Sequence, residues 1–314
     1  MPLKRRTLIS WGIGGFAAAT GRHYLRPSLD LLGATELPPT ASLPDIEPLF
    51  RFTALGDVGT GEGGQYEVAQ AIAQHHQRSP FALALMAGDN IYPDGEIERI
   101  SDVFEQPYAP LLQNGVKFRA SLGNHDFRTN QGTAQVAYPG YNMDGKYYTF
   151  TEQSVQFFAL DTNQKYHQGI RFTESDWTQQ LRWLRTELSQ SSAQWKVVFA
   201  HHPIYSSGSH GSDESLARAL TPLFADYGVQ IYINGHDHNY ERTKLINGTT
   251  YITTGNGAKL RSVEPSRYTA HATSQLGFTA FDVYPDRIVV KAIDTSNTTY
   301  DEAHIVHAES TVQA

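Results

Sequence analysis

The segment LFRFTALGDVGTGEGGQYEVAQAI, residues 49–72, contains the unit from which the fold is built. Its apolar run at 49–55 predicts a strand, and the residues at 63–78 predict a helix with apolar side chains on one side. Between them, the turn Gly56-Asp57-Val58-Gly59 lets the backbone bend sharply, so that Asp57 points into the crevice at the strand's carboxyl end. A strand that leads through a short polar turn into a helix is typical of α/β proteins.

Alternating strands and helices continue along the chain. Further strands are expected at 81–87, 116–122, 147–151, 155–160, 196–200 and 229–233, with helices at 173–188 and near 215–227. After residue 239 the pattern is mostly β, with strands at 244–246, 250–253, 277–283, 288–293 and 303–306 and a hairpin turn at Asn247-Gly248. Two sets of strands with helices outside them predict a four-layer α/β/β/α sandwich of two mixed sheets.

Polar residues of the same few kinds follow five of the expected strands. The five loops are Gly56-Asp57-Val58-Gly59, Gly88-Asp89-Asn90-Ile91-Tyr92, Gly123-Asn124-His125-Asp126, Ala200-His201-His202-Pro203 and Gly235-His236-Asp237-His238-Asn239. Functional residues of open α/β sheets collect at the carboxyl ends of the strands. Together these loops offer carboxylates, imidazoles, an amide and a phenol, which is the ligand set of a two-metal site.

Each loop taken alone has a simpler interpretation. Asp57 could serve as a turn or helix-cap residue, and Tyr92 could be a core aromatic residue. The pair Asn124-His125 could be a turn, whereas His236 and His238 stand at alternate positions of an extended chain and can reach one site together. Five such loops in order, each closing an apolar strand, favour the metal site.

The composition excludes several other kinds of site. The chain has 314 residues, a formal net charge of −7 and 40% hydrophobic residues, which argues against global disorder and against wholesale nucleic-acid binding. It has no cysteine, so thiol catalysis, disulfides and Cys-ligated metals are excluded. No run of about 20 apolar residues is present, so we expect no ordinary transmembrane span.

The five loops resemble the motifs of the calcineurin-like metallophosphoesterases over about residues 52–240. The tyrosine in Asp89-Asn90-Ile91-Tyr92 is similar to that of the purple acid phosphatases. The spacing of His201 and His210 resembles the small tartrate-resistant type of that family. The likeness extends over nearly all of 49–290 and implies the metallophosphoesterase fold.

The resemblance also implies which residues hold metal ions. Asp57, Asp89, Tyr92 and His238 would hold iron(III), with Asp89 bridging to the second ion. Asn124, His201 and His236 would hold a divalent ion, for which iron, zinc and manganese all suit. His125 and His210 match residues that touch the phosphate and the leaving group, and the role of His202 stays open.

The reaction implied is the hydrolysis of phosphomonoesters of small molecules by in-line attack of a metal-bound hydroxide. Either His125 or His210 could protonate the leaving group. A metal-dependent phosphodiesterase or nucleotidase of the same fold is the alternative. We expect a monomer that binds no nucleic acid.

Two interpretations from other classes remain open at this stage. The run Gly59-Thr60-Gly61-Glu62-Gly63-Gly64 fits the dinucleotide fingerprint GxGxxG, although Asp57 beside it would repel a pyrophosphate. The same fold could also belong to a metal-binding protein without catalytic activity.

The N-terminal residues have the pattern of an export signal. Lys4-Arg5-Arg6 precedes a short, glycine-rich apolar stretch that ends in three alanines, as in twin-arginine signal peptides. We therefore expect a signal segment at 1–26, a proline-rich linker at 27–48, one catalytic domain at 49–308 and a tail at 309–314. The expected location is periplasmic or extracellular.

Overall fold

The computed structural model describes residues 46–165 and 174–307, which lie within one compact unit. The signal segment and most of the proline-rich linker expected from the sequence lie outside these residues. Within the described residues, no helix is long and apolar enough to cross a bilayer.

The strands follow one another in the order expected for two sheets. They are β1 (Phe50–Leu55), β2 (Leu83–Ala87), β3 (Lys117–Ser121), β4 (Tyr148–Glu152), β5 (Val155–Ala159), β6 (Trp195–Phe199), β7 (Ile231–Asn234), β8 (Tyr240–Thr243), β9 (Thr250–Thr254), β10 (Thr269–Thr273), β11 (Gly277–Val283), β12 (Arg287–Asp294) and β13 (Thr299–Val306).

Helices connect and cover the strands. The α-helices are α1 (Gly63–Arg78), α2 (Ala109–Gln113), α3 (Thr133–Val136), α4 (Glu174–Gln190) and α5 (Glu214–Tyr227). Short helical turns lie at Ile97–Arg99, Ser101–Glu105, Asn130–Gly132, Pro139–Tyr141 and Thr162–Lys165. The Asp213 side chain caps α5 by accepting from two backbone N–H groups of its first turn.

The strands form two mixed sheets. One has the order β13-β12-β11-β1-β2-β3 and the other β10-β8-β9-β7-β6-β5-β4. In the first sheet β1, β2 and β3 are parallel, and in the second β5, β6, β7 and β9 are parallel. The parallel strands place their carboxyl ends, and the loops that follow them, at one edge of each sheet.

The main core lies between the sheets. Phe52 of β1 stacks on Phe281 of β11 (ring centroids 4.3 Å apart) and meets Phe157 of β5 edge-on at 5.1 Å. A second apolar cluster, including Leu184 of α4 and Leu220 of α5, lies against the other face of the second sheet. The four-layer sandwich predicted from the sequence is therefore confirmed.

Most expected elements are present with shifts of one or two residues, but the region after residue 239 differs. The strand expected at 244–246 was wrong, because the strand is Tyr240–Thr243. Strand Thr269–Thr273 was not predicted, since its alternation of polar and small residues gives a weak strand signal. The turn at Asn247-Gly248 is correct, with both residues at positive φ (49° and 85°) and Ile246 paired with Thr249 on either side.

The buried carboxyl of Asp161, directly after β5, should make the stability of the protein depend on pH. Burial raises the pKa of its carboxyl from 3.8 to about 6, although Asn163 donates to it. As pH rises, the carboxyl therefore loses its proton in the unfolded chain before it does so in the folded protein. Its contribution to the free energy of unfolding is fully present below about pH 4 and is lost as pH rises through 6.

In Asp161→Asn the titrating group is absent. The free energy of unfolding of the variant, relative to that of the unchanged protein, should rise by roughly 3 kcal/mol between pH 4 and pH 7. Urea unfolding at both pH values measures this difference. A difference that does not change with pH would contradict the prediction.

Candidate metal centre

The loops at the carboxyl ends of β1, β2, β3, β6 and β7 meet at one place between the two sheets. Asp57 and Asp89 begin two of these loops with positive φ (60° and 53°), which turns each carboxylate into the crevice. Gly235, at the end of β7, permits the close approach, because a Cβ atom there would lie 2.3 Å from Asp57 Oδ2. His236, the next residue, donates its backbone N–H to that oxygen (2.8 Å).

Asp57, Tyr92 and His238 form one half of the site. The Tyr92 hydroxyl donates to Asp57 Oδ1 (3.1 Å) and lies 3.3 Å from His238 Nε2. The same histidine nitrogen is 3.3 Å from Asp57 Oδ1. All three residues are buried. These distances show that the structure brings together three of the ligands predicted for iron(III).

Asn124, His201 and His236 form the other half. His201 Nε2 lies 3.1 Å from Asn124 Oδ1 and 3.1 Å from His236 Nδ1. Asp89 Oδ1 is 3.4 Å from the same nitrogen. Since one ligand atom each of Asp57, Asp89 and His201 lies within 4.8 Å of the others, Asp89 stands within reach of both halves, as a bridging ligand must.

The donor set of this second half fits a bound cation. His201 Nδ1 donates to the carbonyl oxygen of Ala87 (2.9 Å), so Nε2 of the neutral ring carries a lone pair. That lone pair faces the amide oxygen of Asn124 and the carboxylate of Asp89, which also offer lone pairs. Buried acceptors that converge in this way repel one another, and a cation among them removes the repulsion.

The pKa values of His201 and Tyr92 reflect the charge of the two carboxylates. Burial lowers the pKa of His201, but the charges of Asp89 and Asp57 outweigh burial and hold it above its ordinary value. For Tyr92, burial and the same two carboxylates raise the pKa far above its ordinary value of 10. Only a strongly charged cation beside Tyr92 would ionise it at working pH.

His125 presents a single free nitrogen to the site. Its Nδ1 faces the carbonyl oxygen of Pro93, which can only accept, so Nδ1 carries the proton. Its Nε2 lies 4.0 Å from Asp89 Oδ2, and its ring packs 4.5 Å from that of Tyr92. The side chain is 24% exposed, so Nε2 lies at the border between the site and solvent.

His210 is held differently. Its ring lies 4.0 Å from that of His236 at an angle of 30°, and its Nε2 accepts a hydrogen bond from Arg261. A guanidinium group can only donate, so this nitrogen is not available to carry a proton while Arg261 is in place. The two candidates of the sequence analysis are thus distinguished by the hydrogen-bond partners of their rings.

Two buried aspartates that the sequence analysis left without a role build the loops. Asp126 accepts from the backbone N–H groups of Asn90, Ile91 and Gly123 at 2.7–3.1 Å, and so ties the loop after β2 to the loop after β3. Burial raises its pKa to about 7. Its place directly after Asn124-His125 was the available signal, but its partners lie up to 36 residues away.

Asp237, between the two predicted ligands of the last loop, likewise ties two loops together. Its carboxylate accepts from the hydroxyls of Ser206 and Ser209 and from the backbone N–H of His210 (2.9 Å). The loop that carries His210 is therefore attached to the loop that carries the last two predicted ligands.

His202 lies behind the site. Its Nδ1 is 2.7 Å from the hydroxyl of Thr162, and its ring lies 4.6 Å from that of His236. One ligand atom each of His201, His202 and His236 lies within 4.8 Å of the others, so a third imidazole is within reach of this half of the site. Thr162 belongs to another polar loop after a strand, Asp161-Thr162-Asn163, which the sequence analysis missed.

Comparison with known proteins identifies the family. Residues 50–240 match the family described as calcineurin-like phosphoesterase. The chain belongs to the calcineurin-like phosphoesterase family. Its relatives include tartrate-resistant acid phosphatase type 5 of Mus musculus, at 29% identity over 67% of this chain and 73% of the relative. Purple acid phosphatase 7 of Arabidopsis thaliana is 30% identical over 66% of this chain and 70% of the relative. The resemblance drawn from the five loops is confirmed.

Solved structures confirm the fold. The purple acid phosphatase PPD1 of yellow lupin matches with a TM-score of 0.70 at 21% identity, over 87% of this chain and 56% of that one. GAP50 of Plasmodium, described as the anchor in the inner membrane complex, matches with a TM-score of 0.72 at 24% identity, over 82% of this chain and 89% of that one. The fold is therefore shared by proteins with different described roles.

The dinucleotide interpretation of the glycine-rich run loses its support. A Cβ atom at Gly59 would lie 2.0 Å from the carbonyl oxygen of Asn90, so this glycine is required for the contact between the loops after β1 and β2. That contact helps to place Asp57 and Asp89, and it explains the glycine without a bound pyrophosphate.

Proposed function

We propose that residues 49–308 form a dinuclear-metal acid phosphatase, a monomer that hydrolyses phosphomonoesters of small molecules. The observation that carries the proposal is the position of Asp89 between two half-sites, each of which supplies its own imidazole and oxygen ligands. The family and the names of the relatives support hydrolysis of phosphate esters.

The two half-sites differ in the ions that they suit. Asp57, Tyr92 and Asp89 offer hard oxygen ligands for iron(III), and His238 adds an imidazole nitrogen. Asn124, His201 and His236 offer mostly nitrogen for a divalent ion, and iron, zinc and manganese all suit this set. When bound, the ions lower the pKa of the attacking water and neutralise the charge of the phosphoryl oxygens.

His125 supplies the proton that the leaving group needs. Release of the proton from Nε2 leaves the neutral ring with its remaining hydrogen on Nδ1, and that form is the one stabilised by the carbonyl of Pro93. His210 cannot act in this way at Nε2, because a proton there would replace the hydrogen bond from Arg261 and bring two cations into contact. We therefore assign the general acid to His125 and a positioning or binding role to His210.

The test is to measure metal content and turnover on the same preparation. We expect two metal ions per chain, one of them iron, and faster hydrolysis of p-nitrophenyl phosphate than of bis(p-nitrophenyl) phosphate. Preference for the diester would favour the phosphodiesterase alternative. Bound metal without turnover of either ester would favour the non-catalytic alternative.

Tyr92→Phe tests the iron half-site, because the change removes only the hydroxyl oxygen. A phenolate bound to iron(III) absorbs visible light, so the oxidised protein should be purple or pink and the variant should lose that band. A tyrosine that merely donates to Asp57, as its hydroxyl can at 3.1 Å, would give no such band. Colour that persists in an iron-loaded variant would remove Tyr92 from the ligand set.

We also propose that the protein is exported by the twin-arginine route to the periplasm or the exterior. The support is the pattern Lys4-Arg5-Arg6 with the apolar stretch that follows it. Replacing both arginines in Arg5→Lys and Arg6→Lys should leave the precursor inside the cell, as measured by fractionation. Unchanged export in a strain that lacks the pathway would show that another route is used.

A further inference from the structure

A segment beside the candidate metal centre carries two positive charges that the proposed mechanism does not use. We call residues 257–263 the cationic loop, since Lys259 and Arg261 lie in it and are both exposed. Exposure alone would make them ordinary surface residues. Their positions and the way the loop is held show that they belong to the rim of the site.

The cationic loop is fixed to the site at three points. The backbone N–H of Gly257 donates to the carbonyl oxygen of Gly56 (3.3 Å), next to Asp57. The backbone N–H of Arg261 donates to the carbonyl oxygen of His238 (2.8 Å). Val263 pairs with Gly208 in an isolated β-bridge, next to the residues that Asp237 holds. The backbone that carries both cations therefore has a defined position relative to the predicted ligands.

The two cationic groups face residues of the site. Lys259 Nζ lies 5.1 Å from the centre of the Tyr92 ring, a cation–π distance. The Arg261 guanidinium donates to Nε2 of His210, whose ring packs against that of His236. Each positive charge is thus separated from a predicted metal ligand by no more than one aromatic ring.

In the part of the chain that the structure describes, no carboxylate pairs with either charge. Among the described residues, neither Lys259 nor Arg261 forms an ion pair, whereas Arg128, which also donates to the carbonyl of Pro93, is paired with Asp94 (2.9 Å). The chain as a whole carries a net charge of −7, which repels highly charged anions. Two unpaired cations at the rim reverse this repulsion locally.

The charge of the scissile phosphate is already balanced by the metal ions in the proposed function. Additional positive charges outside the metal pair therefore suit a second anionic group on the organic part of the substrate. Arg261 uses one of its five N–H donors for His210 and keeps others for such a group, and a guanidinium fork matches phosphate oxygens in geometry.

We propose that Lys259 and Arg261 form a subsite for a second phosphate group, so that the enzyme selects phosphomonoesters whose leaving group is itself phosphorylated. This inference rests on the proposed function. Charge-assisted hydrogen bonds to one phosphate contribute enough to raise kcat/KM about tenfold or more over that of the matching monophosphate.

The experiment compares fructose 1,6-bisphosphate with fructose 6-phosphate on the metal-loaded protein. We expect kcat/KM to favour the bisphosphate about tenfold, and the advantage to shrink as ionic strength rises. In the double variant Lys259→Gln, Arg261→Gln the advantage should disappear, because kcat/KM should fall further for the bisphosphate than for fructose 6-phosphate, with metal content little changed. The exchanged variant Lys259→Arg, Arg261→Lys keeps both charges and should retain most of it.

Arg218→Gln is the control, because Arg218 is an exposed arginine of α5 that pairs only with Glu214 among the described residues. This variant should leave the ratio of kcat/KM for fructose 1,6-bisphosphate to kcat/KM for fructose 6-phosphate unchanged. A ratio near one in the unchanged protein, or a preference that survives the double glutamine variant, would overturn the subsite. Failure to hydrolyse even p-nitrophenyl phosphate would instead refute the proposed function, so the two failures are distinguishable.

Discussion

In Asp89→Asn we expect the loss of both metal ions and a fall of at least about a thousandfold in kcat/KM for p-nitrophenyl phosphate. Asp89 is the residue within reach of both half-sites, so the change removes a ligand from each. The metal pair contributes several kcal/mol of transition-state stabilisation, and each 1.36 kcal/mol corresponds to a factor of about ten.

The amide keeps the size of the carboxylate and can still accept the backbone N–H of His125, which donates to Asp89 Oδ1 (3.0 Å). The variant should therefore fold, as circular dichroism would show. Asp226→Asn, on the exposed side of α5, is the matched control and should keep both ions. A folded Asp89→Asn protein with two bound ions would show that Asp89 does not bridge.

The parts of the fold that the sequence predicted are those with strong local signals. Strand β2 is buried along its whole length and reads as an unbroken apolar run. Helix α1 begins at Gly63 and ends at Arg78, as expected from its apolar spacing. The five polar loops could be found because each follows such a run directly, and the structure brings all seven predicted ligands to one place.

The features that the sequence did not predict depend on contacts between distant segments. Asp126 and Asp237 stand beside predicted ligands in the sequence, but their role depends on donors in other loops, such as Asn90, 36 residues from Asp126, and His210, 27 residues from Asp237. The cationic loop lies after the last motif, and it is placed at the site by contacts with distant segments, among them the bond from Arg261 to the carbonyl of His238. No periodicity or motif encodes these contacts.

The choice between His125 and His210 shows the same limit. The resemblance implies a role for both residues, and the sequence gives no reason to prefer one of them as the general acid. The difference arises because Pro93 offers an acceptor to one ring and Arg261 offers a donor to the other. Both neutral rings therefore keep their hydrogen on Nδ1, but Nε2 can take up a second proton in His125, whereas in His210 it already accepts from Arg261. This distinction requires the three-dimensional arrangement.

His125→Ala should lower turnover of an alkyl phosphate such as glycerol 2-phosphate by roughly two to four powers of ten. His125 completes neither half-site, so both metal ions should stay bound. The loss should be much smaller for p-nitrophenyl phosphate, whose leaving group departs without a proton.

His210→Ala is the comparison. Because its Nε2 accepts from Arg261, its removal should weaken binding and should affect both substrates to a similar extent. Equal losses for the two substrates in His125→Ala, or a loss that depends on the leaving group in His210→Ala, would reverse the assignment of the general acid.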